Sequence, residues 1–419
     1  MKAVSPVDSE VQTDFILIPS LAEFQPHFGS SPEDRHIRAA SFFHPAIDVR
    51  ARLGQGLHDR GEASVFAEYD LSADDREALD VHLPLHAKTL SVAHKRIAAG
   101  ETWDVSVRGD AWDLDDMEEL YVILNVGTLE FEPGAQLIVR GNVFIMVCQE
   151  MIVHEPRADF QIGILPTPHS VDFGHGPVNG PDGEPGSAGS AGRSGRPLDV
   201  EETFIGPRSR EPVLPEILNG APGTAGQPGG RGAHGRNGGM CKLAEISIRD
   251  LTGSIAVFAQ AGAGGNGGNG GDGGNGGDGG NGVAGPWLIG GKVDDGAGGP
   301  GGDGGDGGPG GAAGSGGIAS NIYVTLPADA LDRIACRSLA SEPGEAGRGG
   351  SAGMGGQSGA PYGGAPRGTA GRAGRNGAPG RARPAPRIFV NEVPVCGDGI
   401  ARSEGSNVNQ EEDAIYERL

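Results

Sequence analysis

Apolar and polar residues alternate in short runs through the middle of the chain, the period of two that marks strands with one buried face. Residues 98–107 and 129–139 share a scheme in which a turn containing Ala or Pro and then Gly leads into an alternating strand. Residues 141–153 alternate first and then turn wholly apolar, and shorter runs recur at 245–248, 254–258, 321–326 and 387–390. Short strands joined by glycine turns at this spacing predict a β-solenoid-like body to which the later runs add rungs. A β-sandwich is the alternative that two strand repeats leave open. Residues 1–88 are mixed in character, with a helix expected within 36–57.

Between the apolar runs, glycine recurs at strict period three over six tracts: 180–195, 220–238, 264–285, 296–317, 344–359 and 368–380. Tracts 1 and 2 are joined by residues 197–219, tracts 3 and 4 by 286–295, and tracts 5 and 6 by 360–367. Each pair leaves a strand-like run and returns to another, so three hairpins are planted on one body. At roughly 3.1 Å per residue in a polyproline-type helix, the middle pair would each span about 68 Å and the flanking pairs about 40 to 60 Å.

Three conformations compete for such tracts. Glycine-rich disorder is the first. A collagen triple helix is the second, and short tracts, hairpin returns and the scarcity of proline in the middle pair oppose it. The third is an intramolecular bundle of polyglycine-II helices, which have no internal hydrogen bonds and satisfy their amides laterally.

The middle pair favours the third. In tract 3, Gly264, Gly267, Gly270, Gly273, Gly276 and Gly279 make one bare face and the glycines that follow each of them a second, while Asn266, Asn269, Asp272, Asn275, Asp278 and Asn281 project along the remaining edge. Tract 4 repeats this with Gly302, Gly305 and Gly308 on a bare face and Pro300, Asp303, Asp306 and Pro309 projecting. Side chains on the bare faces should be disruptive and Asn275→Ala nearly silent. Aspartates in the middle pair and arginines in and after the last tract (Arg367, Arg372, Arg375, Arg381, Arg383, Arg387) suggest that opposite charge orders the helices.

The expected fold is therefore mainly β plus polyglycine-II: a short β-solenoid-like body with three inserted hairpins forming a bundle of six left-handed polyglycine-II helices. Its divisions are a mixed region (1–88), a body (89–172), hairpins interleaved with body strands at 240–261 and 318–343 (173–386), and a last body strand with an acidic tail (387–419).

With a net charge of −22 over 419 residues, nucleic acid and anionic membrane are excluded as main partners. No apolar run approaches a membrane span, and the N-terminus lacks the order of a secretory signal, which favours cytoplasmic synthesis with release or assembly into an extracellular particle. Cys148, Cys241, Cys336 and Cys396 lie in or beside different body segments, without metal-ligand spacing, and read as buried free thiols ahead of disulfides. His154, His169 and His175 read as solvated loop residues ahead of a metal or acid–base cluster. The acids Asp113, Asp115, Asp116, Glu118 and Glu119 fall in a linker-like stretch. No phosphate-cradling or nucleophile motif is present, so no enzyme activity, cofactor or metal is expected.

Over residues 174–386 the triplet pattern resembles the tail-fibre tip adhesins of T-even-like bacteriophages, and in its count of six helices it is similar to the snow-flea antifreeze type. The first resemblance implies binding through loops at the far end of a rigid bundle; the second implies ice binding by a flat face of small residues, against which the projecting Asp, Asn and Arg count. The first is preferred: a binding or adhesion protein whose tips carry Phe204, Ile205, Leu214, Trp287, Leu288, Ile289, Pro361 and Tyr362. The partner expected is a cell-surface glycan or protein receptor, with an assembly partner at residues 1–88. A structural component of a particle is the alternative, and a polysaccharide-acting enzyme ranks lower.

Overall fold

A computed structural model describes residues 9–19, 84–108, 120–155, 158–167, 178–360, 364–391 and 393–396. These form a mainly β structure with almost no helix. In order the strands are β1 (Gln12–Ile18), β2 (Leu85–Ile97), β3 (Thr102–Asp104), β4 (Leu120–Phe131), β5 (Gln136–Arg140), β6 (Val143–Val153), β7 (Ile162–Leu165), β8 (Val200–Thr203) and β9 (Gly206–Ser209). A four-residue helix, α1 (Pro215–Leu218), follows, then β10 (Ala244–Thr252), β11 (Ile255–Gln260), β12 (Trp287–Leu288), β13 (Gly291–Lys292), β14 (Ile322–Thr325), β15 (Ile334–Leu339), β16 (Ile388–Val390) and β17 (Val393–Cys396).

The body has two sheets. The larger runs β1-β2-β4-β6-β10-β14-β16-β17 and is parallel from β2 to β16, with antiparallel β1 and β17 on its edges. The smaller runs β15-β11-β7-β5-β3 and is parallel throughout. From β2 to β15 each long strand of the first sheet is followed in the chain by a strand of the second, so both sheets grow together. Parallel strands need crossovers rather than hairpin turns, and here the opposite sheet supplies them.

The turn scheme shared by residues 98–107 and 129–139 makes this crossover. Gly100 and Gly134 take positive φ (+72° and +80°), where side chains are disfavoured, and they lie one above the other, with Gly100 N donating to Pro133 O at 3.1 Å. Between the sheets lies one apolar core, in which Leu90, Leu124, Met146 and Ile246 face Leu137, Ile162 and Val257. Alternation breaks once per long strand. In β4 both Val126 and Leu129 are buried inward, so Gly127 and Thr128 form a corner.

One boundary differs from the expectation. The division at residue 88 falls inside β2, and β1 pairs with β2 along seven residues, so part of the N-terminal region belongs to the body. The strand β1 escaped notice because Gln12–Ile18 begins polar and its first residues are exposed. The helix expected within 36–57 lies outside the described residues, as do His169, His175 and the acids from Asp113 to Glu119. All four cysteines are free; Cys148 and Cys241 lie in the core, where burial pushes their thiols up to about 12, and Cys336 and Cys396 pack against it.

The six glycine tracts bond to one another sideways. Gly180 to Gly195 donate from every third amide to the carbonyls of Asn266 to Asn281 at 2.7 to 2.8 Å, joining tract 1 to tract 3. Glycines of tract 3 donate to tract 5 (Gly273 N to Ser351 O, 2.8 Å) and to tract 2 (Gly274 N to Gln227 O, 2.8 Å). Glycines of tract 4 donate to tract 3 (Gly305 N to Gly274 O, 2.8 Å) and to tract 6 (Gly304 N to Thr369 O, 2.8 Å). With Gly226 N to Asp303 O, Gln227 N to Ser187 O, Gly353 N to Gly305 O and Gly371 N to Gly353 O, the pattern closes into two layers. Outgoing tracts 1, 3 and 5 make one layer, returning tracts 2, 4 and 6 the other. Tracts 3 and 4 each bond to four others.

Glycine is required at these contacts. A Cβ on Gly273 would lie 2.6 Å from the carbonyl carbon of Gly305 and nearer still to its oxygen. Gly267, Gly270 and Gly276 meet the carbonyls of Gly311, Gly308 and Gly302 in the same way, and Gly302, Gly305 and Gly308 those of Thr224, Gln227 and Gly230.

The projecting edge corrects the expectation of a silent Asn275→Ala. Asn266, Asn269, Asp272, Asn275 and Asp278 each accept, through Oδ1, the backbone N–H of a tract 5 residue, and Asn281 that of Ala360 just beyond it, at 2.7 to 2.9 Å. Asp303 and Asp306 do the same for Thr369 and Arg372 at 2.7 Å. The charge-ordering expectation is also corrected. These aspartates take backbone amides, and among the described residues no ion pair joins them to the arginines of tract 6.

Candidate functional site

The connectors at the far ends of the hairpins fold on their own local rules. In the first, β8 and β9 form an antiparallel pair closed by Phe204 and Ile205, with Gly206 at φ +123° and Thr203 Oγ1 donating to Gly206 O at 2.6 Å. A two-residue turn of this kind forces its central side chains outward. Phe204 is accordingly fully exposed and Ile205 largely so.

Behind the turn the connector is pinned by a bidentate pair. Arg196 Nη1 donates to Glu211 Oε1 at 2.7 Å, Arg196 Nη2 donates to the other carboxylate oxygen, and Asp199 N adds a bond to Oε1 at 3.0 Å. The hydrogen bond from Arg196, then that from the Asp199 amide, holds the Glu211 carboxyl down to about 2. The chain continues through Leu214, half exposed, into α1, whose Pro215 at the first helical position needs no donor.

The second connector is a smaller antiparallel pair, β12 with β13, turning at Ile289 and Gly290 with Gly291 at φ +120°. Its base is closed by Asp295, which accepts from Gly285 N at 2.9 Å and pairs with Lys292 at 3.1 Å. Those bonds, the Gly285 amide first, lower the Asp295 carboxyl below its usual range. Trp287 is 70 % exposed and Ile289 half exposed, while Leu288 is partly buried. The two connectors touch: Ile289 N donates to Pro207 O at 3.0 Å, and its side chain lies against Gly206.

Of the tip residues picked from the sequence, Phe204, Ile205, Leu214, Trp287 and Ile289 are thus exposed on two connectors that meet, and Leu288 is partly buried. Pro361 and Tyr362 fall outside the described residues. Sequence reasoning missed Leu198 and Leu218, which are buried. Leu218 accepts from Val283 N at 2.9 Å through its carbonyl and stands against Gly296, so it caps the bundle end. The available signal was Pro215 opening a short helix ahead of Asn219, inside the stretch that joins tracts 1 and 2.

On the body, one group of side chains has the chemistry to hold a cation. Glu130, Glu132 and His154 place one ligand atom each within 4.8 Å of one another. Glu130 lies between two histidines, His154 Nε2 at 2.6 Å and His94 Nε2 at 3.6 Å, and Glu132 is paired with Arg96. The Arg96 pair already occupies the Glu132 carboxylate, and the Glu130 carboxylate is engaged by His154. No helix among the described residues is long and apolar enough to cross a membrane. No family model, curated protein or solved structure matches the chain.

Proposed function

We propose that this chain is a non-enzymatic binding protein that presents its hairpin tips to a cell-surface receptor, a glycan or a protein, on a stiff polyglycine-II bundle built on a short β-solenoid. The bundle reading is supported by the lateral amide bonds, which leave no tract to stand alone, and by glycines whose Cβ would strike neighbouring carbonyls. The solenoid reading is supported by two parallel sheets whose strands alternate in the chain.

The observation that carries the functional reading is the state of the tip. Phe204, Ile205, Trp287 and Ile289 stand exposed on two connectors that touch, while Leu198 and Leu218 are buried. A capping role alone would bury the aromatics. An exposed apolar cluster is costly to solubility and marks an interaction surface, and aromatic anchors on a rigid support bind with little loss of side-chain freedom. The phage-adhesin resemblance of the triplet pattern agrees with this use of a bundle.

The test is the double variant Phe204→Ala with Trp287→Ala, read by melting temperature and by retention on intact cells and on glycan arrays. Unchanged melting with lost surface binding is expected. Binding retained in full, or a large fall in melting temperature, would return the tip to a structural role.

A further inference from the structure

A basic trough runs along the outer face of the layer formed by tracts 2, 4 and 6. In a helix of three residues per turn every third side chain falls in one row, at steps of about 9.3 Å. Three such rows lie side by side here. Asn237 Oδ1 accepts from Ser315 N at 2.9 Å, His234 Nδ1 from Ala312 N at 2.8 Å, and Ser315 Oγ from Arg381 N at 3.1 Å. Bonds to the other layer leave from the intervening glycines, Gly311 N to Gly268 O and Gly314 N to Gly265 O, both 2.8 Å, so the three rows face away from it.

Lateral bonds also set the levels. Gly232 N donates to Pro309 O at 3.0 Å and Gly310 N to Arg375 O at 2.9 Å, which puts Arg231, Pro309 and Arg375 abreast. One level nearer the body stand His234, Ala312 and Ala378, and one further Asn237, Ser315 and Arg381. The middle row is short and partly buried while both flanking rows are exposed, so it forms a floor between two walls. At the foot, where tracts 4 and 6 enter β14 and β16, a pocket of about 210 Å³ has Asn321 and Arg387 in its lining.

The bundle has no need of these arginines. Arg375 O and Arg381 O accept from Gly310 N and Gly316 N, and between them Ala378 O serves Ala313 N in the same way, all at 2.9 Å. Among the described residues Arg231, Arg375, Arg381 and Arg387 enter no ion pair. Residues 364–387 hold six arginines and no acid in a chain of net charge −22. Like charges gathered on one straight helix repel one another and raise the local concentration of anions.

The walls offer donors. Guanidinium groups only donate; His234, with Nδ1 taken as an acceptor, is left its Nε2–H, and Asn237, with Oδ1 taken, its amide hydrogens. The charged levels, Arg231 with Arg375 and then Arg381, stand six residues or about 19 Å apart, with the His234 donor between them. Duplex DNA carries a charge every 1.7 Å or so, and a chain this acidic repels so dense a polyanion. Widely spaced arginines separated by a hydrogen-bond donor fit a sugar chain in which acidic residues alternate with neutral ones.

We propose that this trough binds a linear acidic polysaccharide of alternating uronate and neutral sugars, its carboxylates against Arg231, Arg375, Arg381 and Arg387 and its hydroxyls against His234 and Asn237. The site is separate from the hairpin tips and does not rest on their function.

The experiment uses the full chain and isothermal titration with oligosaccharides of hyaluronan and of unsulfated chondroitin, beside dextran and single-stranded DNA, and melting curves without ligand. At least one acidic glycan should bind saturably and lose affinity at least tenfold in Arg375→Ser with Arg381→Ser, whose melting temperature should match the wild type because Ala378 already serves in that row. Arg193→Ser with Arg348→Ser removes the same charge from the opposite layer and should bind as the wild type does, as should the Phe204→Ala, Trp287→Ala double variant. Binding of neither acidic glycan would overturn the proposal, as would dextran or DNA bound equally well. Equal losses in the two arginine pairs would reduce the effect to net charge and overturn it. So would a lowered melting temperature in Arg375→Ser with Arg381→Ser, which would make the arginines structural, or loss of binding in the tip double variant, which would move the glycan to the tips.

Discussion

A single methyl group placed between tracts 3 and 4 tests the whole account of the bundle. In Gly273→Ala the new Cβ would stand 2.6 Å from the Gly305 carbonyl carbon and 2.8 Å from the Asp306 oxygen, with the Gly305 oxygen closer again. These are backbone atoms and cannot rotate away. Relief requires tract 4 to retreat by roughly 1 Å, which carries N–H···O bonds past their limit of about 3.2 Å. The bonds that stretch first are those on either side of the methyl, Gly305 N to Gly274 O and Gly308 N to Gly271 O, both 2.8 Å. Losing such a bond costs about 0.5 to 1.5 kcal/mol net, and about 1 to 3 kcal/mol when the amide is left buried and unpaired. Two such bonds left unpaired then give about 2 to 6 kcal/mol, a large share of a typical stability of about 5 to 15 kcal/mol.

At about 2 to 4 °C per kcal/mol for a domain of this size, the melting temperature should fall by about 5 to 20 °C. The control is Gly290→Ala in the second connector, where a Cβ meets nothing within 4 Å. There the substitution only restricts the unfolded chain, and the melting temperature should hold or rise slightly, by the equivalent of about 0.4 to 1 kcal/mol. Differential scanning calorimetry on the two variants decides the matter. Equal melting temperatures for Gly273→Ala and Gly290→Ala would refute the close approach of tracts 3 and 4.

Two further outcomes follow from side chains at the bundle surface and tip. Asn275→Ala should lower stability by about 0.5 to 1.5 kcal/mol by unpairing Met354 N, whereas Asn275→Asp should be close to neutral, since Asp272 and Asp278 accept in the same way; urea titration of the three proteins would show it. The Glu211 carboxyl, held down to about 2 from an ordinary 4.5, contributes stability that is complete above pH 4.5 and is lost as the pH falls through 2. Asp303 and Asp295, lowered first by the amides of Thr369 and Gly285, act in the same direction. Melting temperature should therefore fall between pH 4.5 and 2, less steeply in Glu211→Gln, and parallel curves for the two proteins would exclude Glu211 as a contributor.

The strand-forming runs and the tract pairing were legible in the sequence because both are periodic over short distances. Ala98–Ala–Gly100 and Glu132–Pro–Gly134 announce a turn by local chemistry alone. The acceptor role of the projecting Asn and Asp was not legible, because its partners lie far along the chain, Met354 being 79 residues beyond Asn275. Nothing local distinguishes an Asn that faces water from one that meets a distant amide. At the tips the exposed aromatics stood out as unexplained in a glycine background, while Leu198 and Leu218 looked no different from other connector residues until the bundle end was in place.

Periodicity also creates a problem that the body solves. Sliding one tract past another by three residues returns glycine to glycine and each Asn to the next amide, so the bundle alone has no preferred register. The strands supply it. Ile255 of β11 pairs with Ile334 of β15 at an offset of 79 residues, and Asn266 to Asn281 meet tract 5 at that same offset of 79. Ala244 of β10 pairs with Ile322 of β14 at an offset of 78, as Asn219 and Asn237 do with tract 4. Ile322 pairs with Ile388 of β16 at 66, as Asp303 does with Thr369. Tracts 3 and 5 continue the small sheet and tracts 2, 4 and 6 run into the large one, so the ladder of each sheet passes unbroken into a layer of the bundle. Only the step from tract 1 to tract 3 changes offset, from 95 in β7 and β11 to 87 in the tracts. The apolar core, which is specific in shape, therefore fixes the register of tracts that have none of their own, and strand register is carried outward through glycine.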